Sequence, residues 1–362
     1  MTGSGEEPTE AGADDGGDAI AADTAAFRRY LRAKRTVDDR ALDRRLVGVF
    51  RKRLAARAAE AEGPLRVLEA GAGLGTMVAR LIDWEVLPPG ETRYAAVDLD
   101  AGAIAGLRPF LRDWAAERDA SVSVADAGEA VDGDAFVVET DARTVAVESV
   151  AADAVEYAAA RSGEWDALIG TALLDVLDFD GLEPLLDALA PGGTYYFPIT
   201  FDGGTRFRPA HPADKAIERR YHAHMDAKPG GSSRAGGDAL ERLRATEGAT
   251  LLGVAGSDWV VRPVEGVTRE RGSASAYPGD EAFFLRHILD TVERAVGEVI
   301  ERGDGDPDAR RAVSGDLDPD FPSDPAAELD EWLAHRRRQL DAGDLVYLTH
   351  QLDLIGRVDE ER

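Results

Sequence analysis

The chain has 362 residues and a formal net charge of −27, from 42 basic and 69 acidic side chains; 44% of it is apolar and it contains no cysteine. A chain of this length makes one large domain with insertions, or two domains, and buries a sizeable core. The missing cysteines exclude disulfides, thiolate metal sites and every cysteine nucleophile. The longest uncharged run, Ala188 to Phe201, falls short of the ~20 apolar residues that a membrane-spanning helix needs. The acidic, polar N-terminus does not read as a secretory signal, and a cytoplasmic location is expected.

Lysine is nearly absent, at Lys34, Lys52, Lys215 and Lys228, so arginine supplies almost all the positive charge. The acidity runs along the whole chain. That pattern fits a halophilic protein, because at ~1 M salt the screening length is ~3 Å and self-repulsion is quenched. The rival reading is a dedicated cationic partner. Both disfavour nucleic acid as a partner, since its binding relies on positive charge.

Residues 1–24 read as a disordered acidic tail, and 25–60 as a helical region with Leu42, Leu46, Val49, Phe50 and Leu54 at helical spacing. Arg44, Arg45, Arg51 and Lys52 turn away from that stripe as a solvated face. From Pro64 the texture alternates. Strands are expected at 65–68, 94–97, 135–138, 167–169 and 194–197, and helices at about 76–86, 101–117, 145–161 and 181–189. Such alternation predicts a parallel sheet covered on both faces. Pro191-Gly192-Gly193 reads as a turn before the fifth strand. Beyond it come a helix over 212–227, a Gly/Ser loop to Gly237, and a helix opened by a capping box of Asp238 and Glu241. Strands follow at 250–254 and 259–261, then an amphipathic helix over 280–302. A mobile linker over 303–324, a helix over 325–340 and a strand over 345–352 complete the chain. The organisation expected is a core at 61–262, a helical cover and linker at 263–343, and a closing strand and tail at 344–362.

The segment that carries chemistry is Arg66-Val67-Leu68-Glu69-Ala70-Gly71-Ala72-Gly73-Leu74-Gly75-Thr76. A strand enters a glycine-rich turn and a helix leaves it. The glycines permit a tight turn and close approach of a ligand, and the helix start offers unpaired N–H groups. Such a turn suits a nucleotide-like cofactor at the carboxyl end of a parallel sheet. The spacing is G-x-G-x-G, with Thr76 where a dinucleotide fold has its third glycine, which argues against NAD or FAD. No Gly-Lys-Ser/Thr follows, so it is not a Walker A loop. Asp98 ends the second strand, near the ~20-residue spacing at which an acid binds ribose hydroxyls. Asp141 follows the expected third strand, where it can accept from an adenine amino group.

With Trp165-Asp166-Ala167-Leu168-Ile169-Gly170 and Leu189-Ala190-Pro191-Gly192-Gly193-Thr194, these motifs resemble those of the class I S-adenosylmethionine-dependent methyltransferases over roughly residues 61–205. The likeness reaches the C-terminus if 249–261 and 345–356 supply the last two strands. It implies an α/β, Rossmann-like fold: a seven-stranded, mostly parallel sheet with an antiparallel last strand and helices on both faces, here with a helical insertion before that strand. It implies S-adenosyl-L-methionine as cofactor, with Gly71 and Gly73 at the methionine moiety, Asp98 at the ribose, Asp141 at the adenine and Glu69 near the amino group. Ala72, Gly75, Leu99, Ala142 and Gly170 complete the expected cofactor set.

No Asn/Asp-Pro-Pro-Tyr/Phe follows the fourth strand, which argues against exocyclic-amine methyltransferases of that type. The acceptor site is expected between strands five and six, where His224 is the candidate general base. Tyr221, His222 and Arg234 are the candidate substrate contacts, Arg234 through an anion-binding loop with Ser232 and Ser233. His222, His224 and Asp226 diverge on a helix, so no metal is expected. Trp259, Tyr277 and Phe284 read as core. The expected function is in-line methyl transfer to a nitrogen, oxygen or carbon nucleophile of a small molecule, with residues 263–343 excluding water. The alternatives are an RNA or protein methyltransferase that uses Arg44–Arg57 and Arg336–Arg338, and a non-catalytic scaffold that keeps the cofactor pocket. The oligomeric state is left open.

Overall fold

Strands covered on both faces are apolar throughout, and burial picks them out here. The structure, a computed structural model, describes residues 15–124, 134–264, 276–305 and 324–361. All of β6 (Trp165–Ile169) is buried, as is nearly all of β1 (Leu65–Ala70). The longest uncharged run of the sequence becomes most of β7 (Leu189–Arg208). With β2 (Gly90–Asp98) and β5 (Arg143–Ala151) these strands form a parallel core in the order β5-β2-β1-β6-β7. β10 (Val346–Val358) closes it, antiparallel to β7 on one side and to β8 (Ala249–Gly256) on the other. That is the Rossmann-like sheet of the sequence reading, its last strand antiparallel. Three further strands, β3 (Ala120–Val124), β4 (Asp134–Thr140) and β9 (Trp259–Val261), bring it to ten.

Side chains alternate between two apolar layers. Val67, Tyr94 and Ala167 face one side, under α2 (Arg44–Glu60), α3 (Thr76–Asp83) and α4 (Ala101–Ala116). Leu68, Ala95 and Leu168 face the other, under α5 (Ala154–Ala159), α6 (Leu182–Asp187) and α8 (Ala235–Ala245). Over the β7–β10 side, α9 (Glu281–Gly305) packs against α1 (Asp15–Ala41), α7 (Asp214–Asp226) and α10 (Pro325–Ala342). These four helices form one layer over that side of the sheet.

The third strand is the main correction. Residues 145–161, expected as helix, hold β5, the parallel partner of β2, while the segment 135–138 belongs to β4, which runs antiparallel to β5. Alanines at 146, 151, 152 and 154 suggest a helix, but Val145 and Val147 are buried with Ala146 exposed between them. Period-two burial decides for a strand. Other differences are smaller. The first helical region divides at Asp43, whose carboxylate caps α2 by accepting from the N–H groups of Arg45 and Leu46. Residues 15–24 lie within α1, whereas 1–14 and most of the expected linker, 306–323, fall outside the described residues. α8 opens at Ala235 rather than Asp238, whose carboxylate instead accepts from Ser232 Oγ at 2.9 Å. Arg336, one of the arginines an RNA or protein acceptor would use, is fully buried; it donates to the Pro209 carbonyl and pairs with Asp214.

One buried carboxylate links the layers. Asp353, on β10 and fully buried, accepts from Asp43 N at 2.9 Å, Ile199 N at 3.0 Å and Tyr196 Oη at 3.2 Å. Ile199 has φ +58°, a conformation that a β-branched residue adopts only under constraint. Asp353→Ala strands three donors, each costing about 1–3 kcal/mol. A loss of at least ~3 kcal/mol is expected in denaturant unfolding at molar salt, and a loss within ~1 kcal/mol contradicts the linking role.

Candidate functional site

The chain runs outward from β1 to β2 and β5, then returns to the other side of β1 as β6. That reversal opens a crevice at the carboxyl ends of β1 and β6. The glycine turn sits there. Gly71, Gly73 and Gly75 have φ of +73°, +53° and +75°, which only glycine adopts without strain. The Gly71 and Ala72 N–H groups both donate to the Val97 carbonyl, and Gly73 N donates to Asp98 Oδ2 at 2.8 Å. Asp98 Oδ1 accepts from Asp100 N at 2.8 Å. The turn is thereby pinned to the end of β2, with one lone pair left on each Asp98 oxygen. Beside it the Leu99 side chain is 75% exposed. Gly75 is the N-cap of α3 and offers no side-chain acceptor to that helix's first N–H groups. Gly75 is also needed for packing, since a Cβ there would lie 2.8 Å from Leu107.

Under the turn, Glu69 is buried and accepts a hydrogen bond of 2.7 Å from Tyr94 Oη. Burial pushes its pKa up to about 8, against the Tyr94 bond and nearby Arg80, which lower it.

Three expected cofactor residues are placed elsewhere or act otherwise. Asp141 and Ala142 form the β4–β5 turn, where the Ala142 carbonyl accepts from Gly90 N at the start of β2. They lie at the opposite sheet edge from Asp98, a strand's length away at ~3.3 Å per residue. The error follows from the misassigned third strand. The acid at the correct end is Asp153, after β5, where Ala152 N donates to the Asp98 carbonyl and the Asp153 carboxylate caps α5. Gly170 follows β6 as expected, but its lack of a side chain serves packing: a Cβ would lie 2.7 Å from Leu173 and 2.9 Å from Phe197.

Beyond β6 and β7 lies a cavity of about 360 Å³. Each wall is one face of an element. β10 contributes Tyr347, Thr349 and Gln351 at period two; α7 contributes Tyr221 and Met225, and α1 Tyr30 and Lys34, each pair one turn apart. α9 adds His287, Ile288, Thr291 and Arg294; β7 adds Ile199 and Phe201; β9 adds Trp259; the loop after β6 adds Ala172 and Asp175. Ala172 and Ile199 both have positive φ, so strain collects at this wall, as at many functional sites. Burial raises the Asp175 pKa to about 6.

Of the expected substrate residues, Tyr221 lines the cavity; His222, His224 and Arg234 are not among its lining residues. His224 is buried, with Nδ1 3.3 Å from Arg302 Nη2 and 3.5 Å from Glu298 on α9. Burial and the neighbouring cations lower its pKa. It faces the cover, because α7 turns Tyr221 and Met225 inward and a residue one position before Met225 points away. His222 lies 3.3 Å from Thr205 Oγ1 and edge-on to Phe201. Arg234 is exposed at the start of α8. Trp259, read as core, is buried in the core and also lines the cavity. Asp175 and the α1 and β10 contributions carried no local motif and went unseen in the sequence.

No protein-family model matches the chain and no curated protein is similar to it in sequence. Solved structures give distant matches. A Bacillus halodurans protein provisionally named a methyltransferase is 12% identical, with 86% of this chain and 98% of that one covered and a TM-score of 0.40. Phosphoethanolamine N-methyltransferase 2 of Haemonchus contortus, solved with phosphomonomethylethanolamine and S-adenosylhomocysteine, is 15% identical, with 85% and 52% covered and a TM-score of 0.32. Likeness at this level carries no argument about activity, and the functional reading rests on the site's own residues.

Glu69 gives a testable pH dependence. Its folded pKa, about 8, lies above the ordinary value of 4.5. Between those values the native state holds a proton that the unfolded state has released. Stability therefore falls as pH rises through that window, by up to about 1.4 kcal/mol per pH unit. Glu69→Gln should flatten the slope of unfolding free energy against pH from about 5 to about 8; an unchanged slope refutes an acid held neutral there.

Proposed function

We propose that the protein is an S-adenosylmethionine-dependent methyltransferase acting on a small molecule. The observation that carries this reading is the meeting, at the ends of β1 and β2, of the left-handed glycine turn, Asp98 and the exposed Leu99. The residues fit the cofactor. The glycine turn and the uncapped start of α3 suit the methionine end, and the remaining lone pairs of Asp98 suit the ribose hydroxyls. Leu99 offers an apolar face to the adenine ring. Asp153 replaces Asp141 as the acid for its amino group, since only one Asp153 oxygen is used in capping α5. Glu69 sits beneath the turn.

When bound, the cofactor supplies an electrophilic methyl group on a sulfonium. The chain must place an acceptor atom in line with that carbon, at about 3–3.5 Å, with water excluded. The cavity beside Ala172 is the candidate place for that acceptor. Its volume is in the range of small-molecule sites, and α1, α7 and α9 close it. Asp175 replaces His224 as the ionisable group placed to receive a proton from the acceptor.

A macromolecular acceptor finds little support in the arginines that would have to contact it. Arg44 stacks on Trp84 at 3.4 Å, and Arg51 and Arg53 donate to the Trp84 and Gly192 carbonyls. Arg57 pairs with Asp166, and Arg336 is buried. These cations serve the fold.

Calorimetry in molar KCl tests the proposal. Micromolar S-adenosylmethionine binding is expected. Asp98→Ala should weaken it at least about tenfold, because hydrogen bonds to a charged group contribute ~1.5–3 kcal/mol each. Asp153→Ala should weaken it too, and Asp141→Ala should leave it unchanged. Folded wild-type protein that fails to bind the cofactor overturns the reading.

A further inference from the structure

Three residues of the cavity wall carry buried polar atoms without partners among the described residues. Asp175 Oδ1, Gln351 Oε1 and Thr349 Oγ1 are closed to solvent and have no hydrogen-bond partner among the described residues. All three residues line the cavity. Gln351 and Thr349 are 3% and 4% exposed, so a rotamer change toward solvent is not open to them. Two of the atoms accept only, and the third donates or accepts. Leaving a buried polar atom unpaired costs about 1–3 kcal/mol, more when it is charged. Three orphans in one cavity therefore describe the complement of a ligand, and that complement is rich in donors.

Charge narrows the class. Asp175 is the sole carboxylate among the described lining residues. Lys34, on the α1 wall, is already neutralised by a 2.9 Å ion pair with Asp38, and Arg294 is exposed on its helix. The one lining carboxylate thus faces a lysine whose charge is already shared with Asp38. Aromatic rings line it as well, among them Phe201, Tyr221, Trp259 and Tyr347. Ring faces attract a cation and bury an apolar body.

We propose that the acceptor cavity binds a small organic amine as its ammonium. The nitrogen is held by Asp175 with Gln351 and Thr349, and its apolar or aromatic body lies between the rings of β7, β9, β10 and α7. An alcohol of the same shape brings one donor and no charge, and a carboxylic acid brings a second anion against Asp175. Preference for the amine over both is the signature. As a substrate class this rests on the methyl-transfer reading; as a binding property of the cavity it stands by itself.

The test uses full-length protein in buffered KCl, with and without S-adenosylhomocysteine. The probes are benzylamine, 2-phenylethylamine and cyclohexylmethylamine, each beside the matched alcohol and carboxylic acid. The amines should bind at least about tenfold more tightly than the alcohols, and the acids should not bind. Asp175→Asn should bring the amine-to-alcohol ratio close to one while the thermal midpoint stays within a few degrees. Gln351→Leu should weaken amines more than alcohols, a ratio that a purely structural role would not move. Amines that bind no better than alcohols, a preference that survives in Asp175→Asn, or no amine binding at millimolar concentration each overturn the proposal. Failure of S-adenosylhomocysteine to bind removes the methyl-transfer reading alone, because amine selectivity is measured without it as well.

Discussion

The architecture turns on one buried carboxylate. Asp353 is a β10 residue, yet its hydrogen-bond donors come from the residue that caps α2 and from two positions on β7. A charge without water must satisfy its lone pairs inside the protein, and the available donors are spread over separate elements. Meeting that requirement fixes β10 against β7, sets the start of α2, and holds Ile199 in a left-handed conformation that its side chain disfavours. Ile199 then forms part of the cavity wall. Strain at the wall and the closing of the sheet are two consequences of one interaction.

A second constraint acts at the other side of the crevice. Asp98 ends β2 and binds the backbone of the glycine turn, so the turn's shape is set by the strand next to it. The start of α3, without a side-chain cap, and the exposed Leu99 flank that fixed point. Both sites lie at the carboxyl edge of the same parallel strands, where the order reverses at β1. Ala172, in the loop that follows β6, belongs to the cavity wall.

In so acidic a chain, burial rather than abundance gives a carboxylate its role. Glu69, Asp175 and Asp353 are each shifted toward the neutral form by desolvation. Their surroundings differ. Glu69 has Tyr94 as donor and Asp353 has donors from β7 and the α2 cap, whereas Asp175 Oδ1 has none among the described residues. The first two complete the structure, and the third is free to accept from a ligand.

The sequence by itself determined the alternation of strand and helix, the glycine turn and Asp98, because each is local: a hydrophobic period, a left-handed backbone or a strand end is written within a dozen residues. It also determined that β10 exists, though not what its buried Asp353 does. It failed at β5, where alanine-rich composition hid a period-two burial pattern that only the neighbouring β2 and β4 make visible. With that strand went the expected position of Asp141; the acid that follows β5 at the Asp98 end is Asp153. His224 failed for a related reason: a helix's sequence does not say which of its faces meets the site. Only the tertiary structure decided the cavity. Tyr30, Asp175, Trp259, His287 and Gln351 are scattered from α1 to β10, and no spacing links residues that meet through packing of the helical cover on the sheet.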